Sequence, residues 1–468
     1  MQLCESKNDF CFVFPGMRKP TFMNITLLTV AVAATLLFYC QSFAQSPDSS
    51  TRFFSWSLHF QQTIVEQYYP SFTASYSGAN SFSDAGGNAL SLTTTLFSGL
   101  RLRNIAELYF DPEISGGSGL SKVQGIAGFP NNEVVRIGTV APSCYIARLF
   151  VQRTFNFGKS STSVDDDVNQ LSDVVSDNRL VFRIGKFSAL DYFDNNSHSH
   201  DGRMQFMDWA LVSNGAWDYP ADTHGYTIGF TAEYLNASFS ARFLAAMVST
   251  KANGEVFDQD ILANNGLAAE VDKPYLLFGQ AGKARLLLYL NRENSVTYQD
   301  AFDAGDLNLS GNATADSLGL RHSGTAKYGA GVNIEQAITG NTGVFFRAGW
   351  NDGRSESWMY TEIDQTISAG ILAKGAYWKR GDDAAGVALV CSGLSDDHRR
   401  FLQAGGYGFI LGDGALNYGP ESVLEAYYSL SITKFLQCSV FYQFVNNPGY
   451  NRDRGPVNIG SIRAHIEL

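Results

Sequence analysis

One stretch of the 468-residue sequence concentrates residue types that suit polar, ring-shaped solutes. It runs from Lys186 to Gly225 and is dense in aromatic, acidic and amide side chains. Its flat apolar faces and charged groups are Tyr192, Phe193, Trp209, Trp217, Tyr219, Asp191, Asp194, Arg203, Asp208 and Asp218. Sugars have apolar C–H faces and a rim of hydroxyls, so ring stacking with charge-assisted hydrogen bonds would suit them. A loop that packs only on itself, without specificity, explains the same composition equally well.

Catalytic and metal-binding interpretations of the sequence are weaker. The run His198-Ser199-His200-Asp201 contains metal-ligand types, but no helix or strand pattern fixes these side chains at ligand spacing. No GxSxG, P-loop or CxxC motif is present, although a Ser–His dyad assembles in space and leaves no sequence motif. The cysteines that follow the N-terminal region, Cys144, Cys391 and Cys438, are far apart and odd in number. We therefore expect no enzyme, no metal and no cofactor.

Charged residues elsewhere obey a positional rule. They alternate with apolar residues at a period of two, which places them on the face opposite the apolar side chains. The members of this set are Arg101, Arg103, Glu107, Arg148, Arg183 and Arg347. One face of each predicted strand is thus apolar, and the other carries arginine or glutamate.

The same alternation recurs from Phe54 to Leu468, with no helical domain in between. Clear examples are Phe54–Gln61, Tyr226–Tyr234, Ala237–Ala245, Val344–Trp350 and Ser461–Leu468. A soluble sandwich buries the apolar face in a core, whereas a transmembrane barrel turns it to lipid and the polar face to a wet lumen. The aromatic content of 13% suits interfacial girdles, and the chain closes inside an alternating strand. The pattern favours an all-β, transmembrane antiparallel β-barrel.

The N-terminus predicts a cleaved secretory leader. Arg18 and Lys19 precede the apolar run Ile25–Tyr39, and Ser42-Phe43-Ala44 provides a small-x-Ala cleavage site. We assign residues 1–44 to a signal peptide, with 1–16 as an extension before the true start, and residues 45–468 to the barrel. The remaining 424 residues would give about 16 strands of about ten residues each, joined by short periplasmic turns and long extracellular loops.

Composition excludes several other classes of protein. A charged fraction of 17% with many aromatics excludes a disordered chain, and six cysteines in 468 residues are too few for a disulfide scaffold. A single long apolar stretch excludes a polytopic helical membrane protein. The formal net charge of −11, about −12 without the leader, disfavours nucleic acid as a partner.

Several blocks of the sequence, in this order, resemble the carbohydrate-selective porin (OprB) family over almost the whole region after Trp56. The blocks include LRLRNIAELYFDPE, GLSKVQGIAGFPNNEVVRIG, YIARLFVQRTFNFG, RIGKFSALDYFDNN, MQFMDWALVSNGAWDYPAD, GWNDG, YGPESVLEAYYSL and YQFVNNPGYNRDRGPVNIGSIRAHIEL. The resemblance implies a 16-stranded barrel in the bacterial outer membrane that passes glucose and other small sugars by diffusion.

The resemblance also implies a constriction lined by arginine and acidic residues. The matching residues are Arg103, Glu107, Arg136, Trp209, Trp217 and Asp218. Together with the alternating set, Asp191 and Arg203, they are the predicted pore-lining residues. Expected partners are small sugars, outer-membrane lipid and the barrel assembly machinery, with the protein as monomer or homotrimer. A lipase-like barrel enzyme and a plugged structural or adhesive barrel are the alternatives.

Overall fold

The computed structural model of the chain describes residues 54–102, 105–134, 141–305, 307 and 319–468. The predicted signal peptide and its start-site extension lie outside the described residues, as do the predicted pore-lining residues Arg103 and Arg136.

Sixteen antiparallel strands in the described residues form a closed barrel in which each strand pairs with its neighbours in sequence. The strands are β1 Phe54–Tyr69, β2 Gly87–Leu102, β3 Ala106–Gly117, β4 Ser143–Val164, β5 Asp173–Phe187, β6 Thr227–Leu235, β7 Ser240–Ala246, β8 Asn265–Leu277, β9 Gln280–Ser295, β10 His322–Thr339, β11 Thr342–Asn351, β12 Gln365–Lys374, β13 Ala384–Gly393, β14 Glu421–Thr433, β15 Leu436–Asn446 and β16 Val457–Glu467. Strand β16 pairs with β1 and closes the sheet. Closure matters because lipid cannot satisfy the unpaired backbone groups of an open sheet edge. The predicted fold class and strand number are confirmed.

The two ends of the barrel differ in the length of their connections. At one end, here called the short-turn end, the hairpins close within segments such as 236–239, 278–279 and 340–341. At the other, the long-loop end, the connections include 118–142, 188–226 and 394–420. In the part of the chain that the structure describes, three short α-helices lie in long loops: α1 Trp209–Val212, α2 Tyr298–Ala304 and α3 Asp396–Gln403. Among the described residues, no helix has the length and apolar character that a membrane crossing requires.

The alternation of side chains separates an apolar outer surface from a polar interior. Leu108, Ile184 and Leu288 are 38%, 63% and 53% exposed on the outer surface. Charged residues of the opposite parity point inward, and Glu425 and Arg463 are almost fully buried there. A soluble protein places its apolar side chains inside and its polar side chains outside. The opposite placement found here is the one that a lipid environment requires.

Two predicted strands differ from the observed ones. The alternation across Leu100–Phe110 is divided by the turn between β2 and β3, so Arg101 and Glu107 lie on adjacent strands and face each other. The strand predicted from Ala237 begins only at Ser240. The Asn236 side chain accepts hydrogen bonds from the backbone N–H groups of Ser238 and Phe239 and forms the turn before it.

Candidate functional site in the barrel lumen

The connection between β5 and β6, residues 188–226, folds into the barrel and is here called the lumen loop. Its central anchor is Arg347 on β11, and this residue is fully buried. The Arg347 guanidinium donates to the backbone carbonyls of Leu211 at 2.7 Å and Asp194 at 3.2 Å, and to that of Ser199. Its Nε lies 3.2 Å from the Asp194 carboxylate. A strand arginine therefore satisfies carbonyl groups that the loop does not pair internally.

Other buried wall residues hold the rest of the lumen loop. They bond its backbone or side chains from β8, β9, β10, β14 and β16, and they are Glu270, Tyr289, Asn291, Asn333, Glu425 and Arg463. The glycines of β11 permit this close approach, because a Cβ at Gly349 would collide with Asn214 and one at Gly343 with His198. The loop thus packs against the β8–β16 side of the lumen.

The aromatic and acidic residues predicted to contact a solute lie mostly inside this packed loop. Trp217 and Asp218 are 0% and 2% exposed. The Asp218 carboxylate accepts backbone hydrogen bonds from residues 358–360 at 2.7–2.9 Å and pairs with Lys327 at 3.5 Å. Trp209 stacks on Tyr360 with ring centroids 5.2 Å apart and borders a cavity. Burial gives Trp217, Asp218 and Arg347 a role in holding the loop; direct contact of any of them with a solute stays a prediction.

An open cavity of about 170 Å³, here called the outer cavity, lies between the lumen loop and strands β2–β4. Its lining combines aromatic rings, carboxylates and one arginine: Glu113, Glu133, Tyr145, Arg203, Trp209, Tyr219, Asp222, His224, Tyr226 and Tyr360 are among the lining residues. Flat rings beside charged acceptors suit sugar rings.

Arg203 links the lumen loop to the wall of the outer cavity. Its guanidinium lies 3.1 Å from both Glu113 on β3 and Glu133 in the β3–β4 loop, and it donates to Gln61 of β1 at 2.9 Å. Burial acts to lower the pKa of Arg203, but Glu133 and then Glu113 outweigh it and raise the pKa above its usual value. The predicted residue Arg203 is therefore a permanent positive charge among carboxylates.

A second arginine bridge crosses from β4 to the lumen loop. Arg148 donates to both carboxylate oxygens of Asp191, at 2.7 Å and 2.6 Å, and lies 3.6 Å from Asp111. Its guanidinium stands 5.2 Å from the ring centroid of Tyr226. Burial, followed by Glu113, raises the pKa of the Tyr226 phenol, so its hydroxyl stays a hydrogen-bond donor. Sequence reasoning brought Arg148 and Asp191 into the same set but gave no sign of their pairing.

Closer to the short-turn end than these bridges, polar side chains on β2–β10 form a continuous row of contacts, here called the charged ladder. Most members are direct cross-strand partners, as in Arg101 with Glu107, Glu107 with Gln152 and Gln152 with Arg183. The ladder consists of Arg101, Glu107, Gln152, Arg183, Glu233, Arg242, Glu270, Asp272, Arg285 and Glu335, linked by contacts of 2.5–3.9 Å. Opposite charges on adjacent strands stabilise the sheet and hold each other's side chains at the wall.

The structure brings the predicted Arg101, Glu107 and Arg183 together on the ladder, and Arg148, Asp191 and Arg203 at the two bridges. Sequence reasoning did not select Glu113, Glu133, Tyr145 or Tyr226, which line the outer cavity. It also omitted the ladder members from Glu233 to Glu335, although the parity rule that found Arg183 applies equally to Glu233 and Arg242. Within the described residues no group of three or more His, Cys, Asp or Glu side chains is arranged to hold a metal ion.

A closed 16-stranded barrel with an apolar exterior and a polar lumen narrowed by an inward loop defines an outer-membrane channel. The sequence model of the carbohydrate-selective porin OprB family matches residues 79–468, so the chain belongs to this family. The protein is accordingly located in the outer membrane of Gram-negative bacteria. Curated protein sequences include no match to the chain.

Among the solved structures compared, one shows the same fold and others show a weaker likeness. The high-pH structure of OprB from Pseudomonas putida is similar over 89% of this chain and 94% of that chain, with a TM-score of 0.63 and 15% sequence identity. The outer membrane channel DcaP of Acinetobacter baumannii matches over 91% and 100%, with a TM-score of 0.46 and 10% identity. OmpT of Vibrio cholerae, in its trimer form, matches over 89% and 100%, with a TM-score of 0.44 and 11% identity.

Proposed function

We propose that this channel lets small neutral sugars, glucose among them, diffuse passively across the outer membrane. The observation that carries the proposal is the outer cavity, which places aromatic rings and charged acceptors together in the lumen. Weak contacts of this kind select a solute and still allow it to leave. The long-loop end would face the cell exterior, so that a sugar meets the outer cavity before the Arg148–Asp191 bridge.

The lumen loop determines the route of the sugar in this proposal. Because the loop is bonded to β8–β11, β14 and β16, the space at the level of the outer cavity lies beside β2–β4. Acidic residues outnumber basic ones in the lining of the outer cavity, with Glu113, Glu133 and Asp222 against Arg203. We therefore expect neutral sugars to enter more readily than anionic ones, and small cations more readily than anions.

Planar-bilayer recording tests the proposal. Purified protein should raise the conductance in discrete steps, and millimolar glucose or maltose should partly block each step. Protein that inserts without conducting would contradict the proposal and would favour a plugged structural barrel. Conduction with no sugar block, tested with glucose and maltose, would support a general pore instead.

Four further assignments belong to the same proposal. Outward apolar side chains such as Ile184 contact outer-membrane lipid, and the alternating last strand is recognised by the barrel assembly machinery. Residues 1–44 are removed as a signal peptide, which the mass of the purified protein would verify. The protein acts as a monomer or a homotrimer; chemical crosslinking in the membrane distinguishes the two, and neither changes the route through one barrel.

A further inference from the structure

A second open cavity of about 260 Å³, here called the inner cavity, lies on the other side of the lumen loop. It is bounded by β6–β10 near their short-turn ends, and it has no lining residue in common with the outer cavity. The two cavities meet the loop at consecutive residues, because Leu190 borders the outer cavity and Asp191 the inner one. This boundary between the two cavities is here called the Leu190–Asp191 step. A solute that crosses the barrel thus has a separate space available on each side of it.

The inner cavity is lined by alternating hydrogen-bond donors and acceptors. Arg242 lies 3.0 Å from Glu233 and 2.9 Å from Asp272, and Arg285 lies 3.9 Å from Asp272 and 3.3 Å from Glu335. Each sugar hydroxyl both donates and accepts, so a polyol matches this alternation along its whole rim. The four carboxylates slightly outnumber the three basic groups in the lining, which disfavours an anionic ligand.

Arg285 supplies an independent sign that the inner cavity accepts a ligand. The residue is 4% exposed and borders the inner cavity. Its Nη1 lies 3.3 Å from Glu335, whereas its Nε, 3.9 Å from Asp272, has no hydrogen-bond acceptor in suitable geometry among the described residues. A buried charged donor without an acceptor is costly, so a hydroxyl oxygen placed in the cavity would be stabilised there.

We propose that the inner cavity is a second sugar-binding site, in series with the outer cavity. The inference rests on the proposed function and adds to it that a sugar binds once on each side of the Leu190–Asp191 step. The ligand class is a neutral, unmodified sugar held by hydrogen bonds instead of stacking. Tyr192 supplies the aromatic ring of this lining, and its face is covered by the Arg183 guanidinium at 4.1 Å.

Glucose block measured from each chamber separately tests the second site. Channels that have all inserted from the same chamber give two apparent association constants for glucose block, one for glucose added on each side of the membrane. Arg285→Met should lower the constant from the short-turn side by about tenfold, the factor expected for one lost charge-assisted hydrogen bond, and leave the other constant within twofold. Tyr226→Leu, in the outer cavity, should show the opposite sidedness.

Lys283→Met keeps the test decisive if Arg285→Met does not fold, since Lys283 lines the same cavity and is only partly buried. Heat-modifiable gel mobility verifies that each variant forms a closed barrel. If the inner-cavity variants that fold leave both association constants unchanged, or lower both equally, while glucose still blocks the wild type, the second site is refuted and the proposed function stands. If glucose blocks the wild type from neither side, both proposals fail.

Discussion

Replacing Arg347 by methionine should release the lumen loop from the barrel wall. The substitution keeps the length of the side chain but removes the charge that binds the Leu211 carbonyl at 2.7 Å and the Asp194 carboxylate at 3.2 Å. It leaves the Asp194 carboxylate buried, at 2% exposure of the residue, with the Asn333 side chain and the backbone N–H of Asn214 as donors, both at 2.7 Å. Breaking one partner of a buried ion pair costs about 3–5 kcal/mol.

An energy of that size raises the population of a detached loop by a factor of about 100 or more, because each 1.4 kcal/mol is tenfold. Detachment moves Asp191 and Arg203 away from β4 and β3, so the lumen widens. Single-channel recording should show a larger and noisier conductance and a weaker glucose block than in the wild type. Arg380→Met is the matched control, since Arg380 is 48% exposed and binds Asp383 at the short-turn end. Arg347→Met with unchanged conductance and block would refute the assignment of the loop anchor.

Three other experiments test the remaining assignments. Arg183→Ala should change conductance and glucose block more than Ile184→Ala, because Arg183 is on the ladder and Ile184 faces outward; equal effects would contradict the parity assignment. Leu108→Lys should reduce folding into vesicles at a cost of about 2–4 kcal/mol near the bilayer midplane, and normal folding yield would show that Leu108 does not face lipid. Burial lowers the pKa of His224 below its ordinary 6.5, so the imidazole is neutral near neutral pH and gains a proton only under more acidic conditions. Acidification should therefore add positive charge to the outer cavity and reduce the cation preference measured as a zero-current potential; His224→Gln should abolish that pH dependence, and its persistence would assign it to another group.

The periodicity of the sequence predicted the barrel because lipid and lumen impose opposite polarities on alternate residues. This rule alone placed Arg101, Arg148 and Arg183 inside, since an inward or outward direction depends only on local strand geometry. It failed where the chain leaves the sheet. Tyr226 has the parity of the outward Ile228, yet it precedes β6 and lies in the lumen.

The composition of the lumen loop was a poorer guide to the role of each residue. Rings beside carboxylates suit a sugar, but they also suit a loop whose own backbone needs buried acceptors, as Asp218 shows. Only tertiary contacts separate the two roles. The ion pair of Arg347 with Asp194 joins residues 153 positions apart in sequence, and no local pattern encodes such a pairing.

Sequence spacing also could not predict the two bridges that narrow the lumen. Arg148 and Asp191 come from a strand and a loop that meet only once the barrel is closed. The short helix of the lumen loop begins at Trp209, because the Asp208 side chain accepts from the backbone N–H of Ala210 and caps the helix there.

Swelling of sugar-loaded liposomes tests the central claim most directly, because it measures the passage of the sugar itself. Vesicles that contain the wild-type protein should swell in isotonic glucose faster than protein-free vesicles and faster than they do in an anionic sugar of similar size. Folded, membrane-inserted protein that leaves the swelling rate in glucose equal to that of protein-free vesicles would contradict the account.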